Sequence, residues 1–412
     1  MRECKNCGLL LAGVLLLAGD PRVLLGQTVS RMLIASLDSG SFAGTRFPVS
    51  FSYDAGEVSA RGDSFIMLRS FDFALRGVAF TRNDIFQGGQ AIFRNGKLAN
   101  VTASFQVRLP ADAPLRNLTF GFGGDGVIGY VDLENKYGAG SFVFTTASAV
   151  VNAASFALNQ PLAPGSLASI FGTGLAVSTA RAGLLGLPTE LAAVSVAIGG
   201  VPAPLQYVSP TQINLQVPWN LPAGTADVRI TTHGSVLPRL QVSIVPYWPA
   251  IFSVQGGIAV AINPDGSIAA PAGTLPEAAA HAAQPGDYIA ILGTGLGAVS
   301  PAIADGRSAT DGLRTTLITP RVLISGVSAE VTFSGLSPQF PGVNQINAIV
   351  PLVAAGLQPL QLEMGPIRTT DQIAIAVGGH QAGARPPLRS AAAAELTAED
   401  VSAPRRGMRL TW

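Results

Sequence analysis

The chain has 412 residues, 48% hydrophobic and 12% charged, with 26 Lys+Arg against 25 Asp+Glu. Soluble chains carry about 25% charged residues, so the complement here is unusually low. The hydrophobicity excludes disorder over the whole length, and the balanced charge leaves no footprint for nucleic acid.

Residues 1–26 read as a secretory signal. Arg2 and Lys5 give a basic start, and Gly8 to Gly19 is an uncharged apolar run. That run is too short for a membrane helix, which needs about 20 residues, and the small Gly26 precedes the predicted cut before Gln27. Both cysteines, Cys4 and Cys7, lie ahead of the run. Their spacing is that of a zinc half-site, but no second pair exists. The mature chain is therefore expected to be secreted or held at the cell surface, with no transmembrane segment. It has no cysteine to staple it, so its cores must be large enough alone.

Residues 28–147 alternate apolar and polar side chains. Phe47, Val49, Phe51 and Tyr53 share one face, as do Val101, Ala103, Phe105, Val107 and Leu109. Period two over such lengths means half-buried strands, and Asn95-Gly96 and Gly121-Phe-Gly-Gly-Asp-Gly126 supply turns. The prediction is an antiparallel β-sandwich or barrel. Residues 27–147 carry 10 acidic and 11 basic side chains in 121 residues, whereas 148–378 carry 10 and 7 in 231. The charge deficit belongs to the second region.

That second region is duplicated. Pro164-Gly-Ser-Leu-Ala-Ser-Ile-Phe-Gly-Thr-Gly-Leu175 matches Pro285-Gly-Asp-Tyr-Ile-Ala-Ile-Leu-Gly-Thr-Gly-Leu296 at an offset of 121. Val194-Ser-Val-Ala-Ile-Gly-Gly200 matches Pro320-Arg-Val-Leu-Ile-Ser-Gly326 at 126, and Gln212-Ile-Asn-Leu-Gln-Val-Pro218 matches Gln345-Ile-Asn-Ala-Ile-Val-Pro351 at 133. The rising offset places loop insertions in the second copy. Short strands with Gly/Pro turns every 8–12 residues are the pattern of an immunoglobulin-like sandwich. The predicted units are 148–246 and 247–378. The Pro-Gly and Gly-Thr-Gly-Leu turns are expected to need positive φ, and the Gln-Ile-Asn amides to bond neighbouring loop backbone around a buried Ile. Residues 379–412, with few large apolar side chains, are expected to be a disordered tail. The fold class predicted is all-β.

These blocks, with Val151-Asn-Ala-Ala-Ser-Phe156, Tyr207-Val-Ser-Pro-Thr-Gln212, Pro249-Ala-Ile-Phe252 and Asn263-Pro-Asp-Gly-Ser267, give residues 150–378 a resemblance. The region resembles the uncharacterised C-terminal domain family of secreted acidobacterial proteins, the Solibacter type, and paired IPT/TIG modules. The resemblance implies tandem immunoglobulin-like modules on an exported protein, and it brings no catalytic residues. The tail after residue 378 departs from the family pattern.

Candidate chemistry is sparse. Gly293-Thr-Gly-Leu-Gly-Ala298 imitates a dinucleotide fingerprint, but Val299-Ser-Pro does not begin the helix that motif needs. His233, His281 and His380 have no metal-ligand spacing, and there is no Gly-x-Ser-x-Gly elbow. Asp132 and Glu134, with Asp125 nearby, are the one carboxylate grouping suited to glycoside hydrolysis. Asn263-Pro-Asp-Gly-Ser267 and Arg61-Gly-Asp-Ser64 read as turns. Tyr207, Trp219, Tyr247 and Trp248 adjoin strand ends and are the candidate ligand-contact aromatics. No catalytic residue, cofactor or metal is predicted. The expected function is an exported, non-enzymatic surface interaction or adhesion protein whose partner is a protein or polysaccharide. The alternatives are a carbohydrate-binding or carbohydrate-active protein working through 28–147, and a structural stalk.

Overall fold

The computed structural model describes residues 28–75, 78–106, 119–123, 126–131, 136–183, 186–275, 278–369 and 373–379. The predicted signal, Cys4, Cys7 and nearly all of the tail, His380 included, lie outside these. The described chain is all-β, with three short 3-10 turns among its strands.

The N-terminal strands are β1 (Thr28–Leu37), β2 (Arg46–Asp54), β3 (Asp63–Leu75), β4 (Val78–Phe80), β5 (Ile85–Arg94), β6 (Lys97–Gln106), β7 (Thr119–Phe122), β8 (Val127–Val131) and β9 (Tyr137–Phe144). They form an antiparallel meander in the order β2-β1-β9-β8-β7-β6-β5-β3-β4, and β2 also pairs with β3. That last pairing closes eight strands into a barrel, with β4 folded back on β3. Of the two architectures the alternation allowed, the barrel is the one formed. Closure removes the edges an open sheet would expose.

Aromatic rings fill the lumen. Phe73 lies against Phe80 with centroids 4.5 Å apart and parallel planes, and it also meets Phe47, Phe71, Phe105, Phe120 and Phe122. An eight-stranded barrel is just wide enough for side chains to fill. Strand β3 shows how the sequence meets this demand. Its inward residues are Ile66 and Leu68, then Phe71, Phe73 and Leu75, a change of parity mid-strand. The cause is a bulge: Ser52 faces Ser70 while Tyr53 faces Leu68, so Arg69 is the extra residue. The carbonyl of Leu68 accepts from Arg82 Nε at 2.9 Å, and Arg69 reaches Asp54.

Only Thr145 separates β9 from the strand Thr146–Asn152, which pairs with Leu167–Thr173 in the first repeat. Met32 and Ile34 point out of the barrel, yet both are 1% exposed, because the first repeat packs on β1. Thr145 Oγ1 donates to the carbonyl of Gly174 (3.0 Å), and Thr173 Oγ1 to that of Phe144 (2.8 Å). Ser50 and Ser235 meet across the same contact.

The first repeat is two facing sheets, and the second is one continuous sheet folded into two facing layers through Val327–Leu336. In the first, Ile170, Leu205, Ile213 and Leu215 oppose Val196, Ile198, Val228 and Ile230. In the second, Ile289, Ile291, Ile346 and Ala348 oppose Val322, Ile324, Leu360 and Leu362. The duplication extends to register. Leu167 faces Gln216 and Ser169 faces Asn214; in the second copy Tyr288 faces Ile349 and Ala290 faces Asn347. Gly165 (φ 76°) and Gly286 (φ 92°) turn through the left-handed region, and their amides donate to Val217 and Val350. The copies also differ in one strand. Val327–Leu336 is a continuous strand that leaves one layer and enters the other. Its counterpart, carrying Pro202 and Pro204, is broken into Val201–Pro202 and Leu205–Val208, because proline cannot donate to a ladder.

The extra length of the second copy builds the seam between repeats. The first lengthened segment, between Leu296 and Pro320, contains Gly306. Its amide donates to buried Gln216 Oε1 at 2.6 Å, and its carbonyl accepts from Leu187. A side chain at Gly306 would stand 2.7 Å from the Leu187 carbonyl. Asp305 Oδ1 accepts from the Trp219 amide at 2.8 Å. The second, between Gly326 and Gln345, contributes Val343 and Phe340 to a cluster with Ala153, Leu167, Phe252 and Leu292. Thr294 Oγ1 accepts from the Leu167 amide and donates to the Gly342 carbonyl.

Two outcomes follow for folded stability. Phe73→Ala should cost about 3–5 kcal/mol, the usual range for emptying a buried phenylalanine site, read by chemical denaturation. Gln216→Leu strands the buried amide of Gly306 and should cost about 1–3 kcal/mol, with the two repeats losing their common thermal transition in calorimetry.

Candidate functional site

The sequence-predicted aromatics are half-buried, each with its own packing partner. Trp219 lies against Gly165, where a Cβ would strike the indole ring. Its amide is held by Asp305, and its Nε1 is buried without a hydrogen bond. Tyr207 has the Arg181 guanidinium over its ring at 4.7 Å. Tyr247 packs on the core of the second repeat, and a Cβ at Gly365 would stand 2.6 Å from its hydroxyl. The Trp248 amide donates to the Gly295 carbonyl. Among the described residues, no ring contact joins any two of these four. Asp125, Asp132 and Glu134 lie outside the described residues.

The Gln-Ile-Asn amides behave differently from expectation. They bond each other along the strand, Gln212 Nε2 to Asn214 Oδ1 at 2.7 Å and Gln345 Nε2 to Asn347 Oδ1 at 2.9 Å. Side chains two apart on a strand share a face, and this proximity outcompetes the loop. Ser169 Oγ also donates to Asn214.

The second repeat brings a serine, a histidine and an aspartate together. Asn263–Ser267 is a turn closed by the Ser267 carbonyl accepting from the Asn263 amide. Asp265 Oδ1 accepts from both the amide (3.0 Å) and the hydroxyl (2.7 Å) of Ser267, while Oδ2 lies 2.9 Å from His281 Nε2. His281 Nδ1 is 3.0 Å from the Ala282 carbonyl. In a hydrolytic triad the histidine stands between hydroxyl and carboxylate and takes the hydroxyl proton. Here the carboxylate stands in the middle, so nothing activates Ser267. The arrangement is a braced turn, and among the described residues no group of three His, Cys, Asp or Glu could hold a metal.

On the outer wall of the barrel, β3 and β5 carry an apolar strip. Phe65 (59% exposed) and Met67 (48% exposed) project from β3. Phe65 lies beside Ile92 and Met67 beside Gln90 on β5. Strand β2 stops pairing at Leu68, so the end of β3 that carries them extends past it. The strip is rimmed by Asp63, Arg94 and Lys97, which share one register line. Arg61-Gly-Asp63 is the turn at its tip, where the Gly62 amide donates to Asn95 Oδ1. Among the described residues most of the barrel's large apolar side chains are inside, and the charged Asp63, Asp72 and Arg94 are exposed. Among the described residues no helix is long and apolar enough to cross a membrane.

No family model matches the chain, and no curated protein matches it. Among solved structures it is similar to SGBP-B of the Bacteroides ovatus mixed-linkage glucan utilization locus, in complex with a heptasaccharide. That match has 12% identity, 65% of this chain, 54% of the other and a TM-score of 0.24. The chain therefore spans about half that protein's length. Domains 5-6 of the S-layer protein SbsC align at 10% identity over 57% of this chain and all of theirs, TM-score 0.19. The Escherichia coli adhesin FdeC aligns at 12% identity over 86% of this chain and all of its own, TM-score 0.17. Likeness at this level assigns neither ligand nor activity.

The braced turn has a defined pH response. The Ser267 hydroxyl and amide, and then His281, hold Asp265 down to about 2. The Ala282 carbonyl, and then Asp265, raise His281 above its ordinary 6.5. The carboxylate's contribution is complete above its unfolded value and lost as pH falls through about 2. The histidine's is complete below 6.5 and lost as pH rises through its raised midpoint. An NMR titration should place the His281 midpoint above 6.5, and Asp265→Asn should lower it.

Proposed function

We propose that this chain is an exported, non-enzymatic interaction protein of the cell surface, related to the Solibacter-type family that residues 150–378 resemble. The two immunoglobulin-like repeats form its mount, and the barrel presents its recognition face. The observation that carries this reading is the contrast between the barrel's two sides. Among the described residues the lumen is packed with phenylalanine, which directs recognition to the outer wall, where Phe65, Met67 and Ile92 form an apolar strip with a polar rim. Burying a phenylalanine or methionine side chain is worth about 1.5–3 kcal/mol, and an apolar centre inside a polar rim is the anatomy of a protein interface. The short connections support the mounting role, since a barrel joined through Thr145 and packed on Met32 and Ile34 is held in place.

Fractionation should find the mature protein outside the cytoplasm; a cytosolic pool would contradict the reading. A Phe65→Ser/Met67→Ser double variant should keep its melting temperature, because both side chains are exposed. It should lose at least tenfold in retention on isolated cell envelopes, measured by co-sedimentation.

A further inference from the structure

A second surface of different chemistry lies on the first repeat, away from the barrel wall. The strand Thr146–Asn152 is the outer strand of one sheet, pairing with Leu167–Thr173. The strand Leu240–Ile244 is the outer strand of the other, pairing with Gly224–Thr232. Between them runs a concavity of about 400 Å³ lined by Ser148, Val150, Leu158, Gln160, Gln241 and Ser243, among others. None of its lining residues is charged. The larger concavity of the same repeat, about 570 Å³, has Asp227 and Arg229 in its wall.

Its polar groups are available. Asn159 and Gln160 are exposed, and neither side chain makes a hydrogen bond among the described residues. Gln241 Nε2 is taken by Asp227, which leaves Oε1 as an acceptor. Ser148 Oγ donates to the Phe171 carbonyl and keeps its lone pairs free to accept.

An exposed aromatic ring, Phe156, stands two residues before Leu158 of the groove's wall. Ala149 faces Phe171 across the ladder, and the Phe156 ring rests on Phe171 with centroids 6.2 Å apart. Phe156 is 47% exposed and Leu158 is 63% exposed. Phe156 sits at φ 53°, a left-handed conformation that bulky residues avoid. The Phe156 amide donates to the Asn152 carbonyl at 2.9 Å, closing this turn. In the second repeat the counterpart of Phe171 is Leu292, buried in the seam, so this ring contact belongs to the first repeat alone.

We infer that this groove binds a neutral glycan chain. Uncharged amides and hydroxyls match sugar hydroxyls, which both donate and accept. The exposed Phe156 ring, two residues along the chain from the wall, matches the apolar face of a pyranose. The absence of charge disfavours an acidic polysaccharide, which would need cationic partners. The inference is independent of the role assigned to the barrel wall.

The test is affinity electrophoresis of the full chain through gels containing galactomannan, xyloglucan or hydroxyethylcellulose, with polygalacturonate as the anionic comparison. At least one neutral polymer should retard the protein, and polygalacturonate should not. Phe156→Gly, which suits the left-handed backbone, and Gln160→Ala, which removes an exposed unbonded amide, should each weaken retardation at least tenfold. Phe65→Ser/Met67→Ser should leave it intact. The inference is overturned if no neutral polymer retards the chain, if polygalacturonate does so equally, or if retardation survives Gln160→Ala. Loss in the barrel double variant would also overturn it, by moving sugar binding to the barrel.

Discussion

The buried side chain of Gln216 joins the two repeats. It accepts from the Gly306 amide of the second repeat and donates to the Gly165 carbonyl of its own. A buried backbone amide left unpaired costs more than the same bond contributes when made. Gly306 can approach only because it lacks a Cβ, and only while Gln216 receives its proton. Around this bond the neighbouring contacts fall into place: Asp305 on the Trp219 amide, and Thr294 between Leu167 and Gly342. The equivalent of Gln216 in the second copy is Ile349, which has no seam to serve. The divergence between the copies is sharpest where one copy touches the other.

The barrel is organised by volume. Its lumen must be filled to native density, and phenylalanine supplies much of that volume among the described residues. The bulge at Arg69 lets β3 follow the curvature of the wall while delivering Leu68 and Phe71 to the same interior. Strand β1 carries a second load, since Leu33 and Ala35 face the lumen while Met32 and Ile34 face the first repeat. Its unbroken run of buried residues, Met32 to Ala35, reflects two interfaces on opposite faces of one strand.

Much of this architecture was legible in the chain. Period two in Phe47–Tyr53 marked a strand because successive side chains on a strand face opposite sides, and the three matched blocks predicted a duplication; the shared register came from the structure. The sites were less legible. Phe65 and Met67 alternate with Ile66 and Leu68 inside an apolar stretch, and no local signal says which parity faces solvent. The groove beside Phe156 needs the strands Thr146–Asn152 and Leu240–Ile244, nearly 100 residues apart, to lie side by side. Asp265 and Ser267 share a turn that Asn263-Pro-Asp-Gly-Ser267 announces, but His281 reaches it from another strand, and the order of the hydrogen bonds, which separates a brace from a triad, depends on coordinates.

The amino-acid sequence by itself determined the all-β class, the duplication, the turns at Pro164-Gly165 and Pro285-Gly286, and the location of the charge deficit. Each of these is a local property, set by the side-chain period, by backbone sterics at glycine and proline, or by composition. Tertiary structure alone decided that the first sheet closes into a barrel, that the extra residues of the second copy form a seam, and which aromatic rings remain exposed. These depend on pairings between distant strands, whose free energies come from burial and register shared across the fold and are not carried by any one segment.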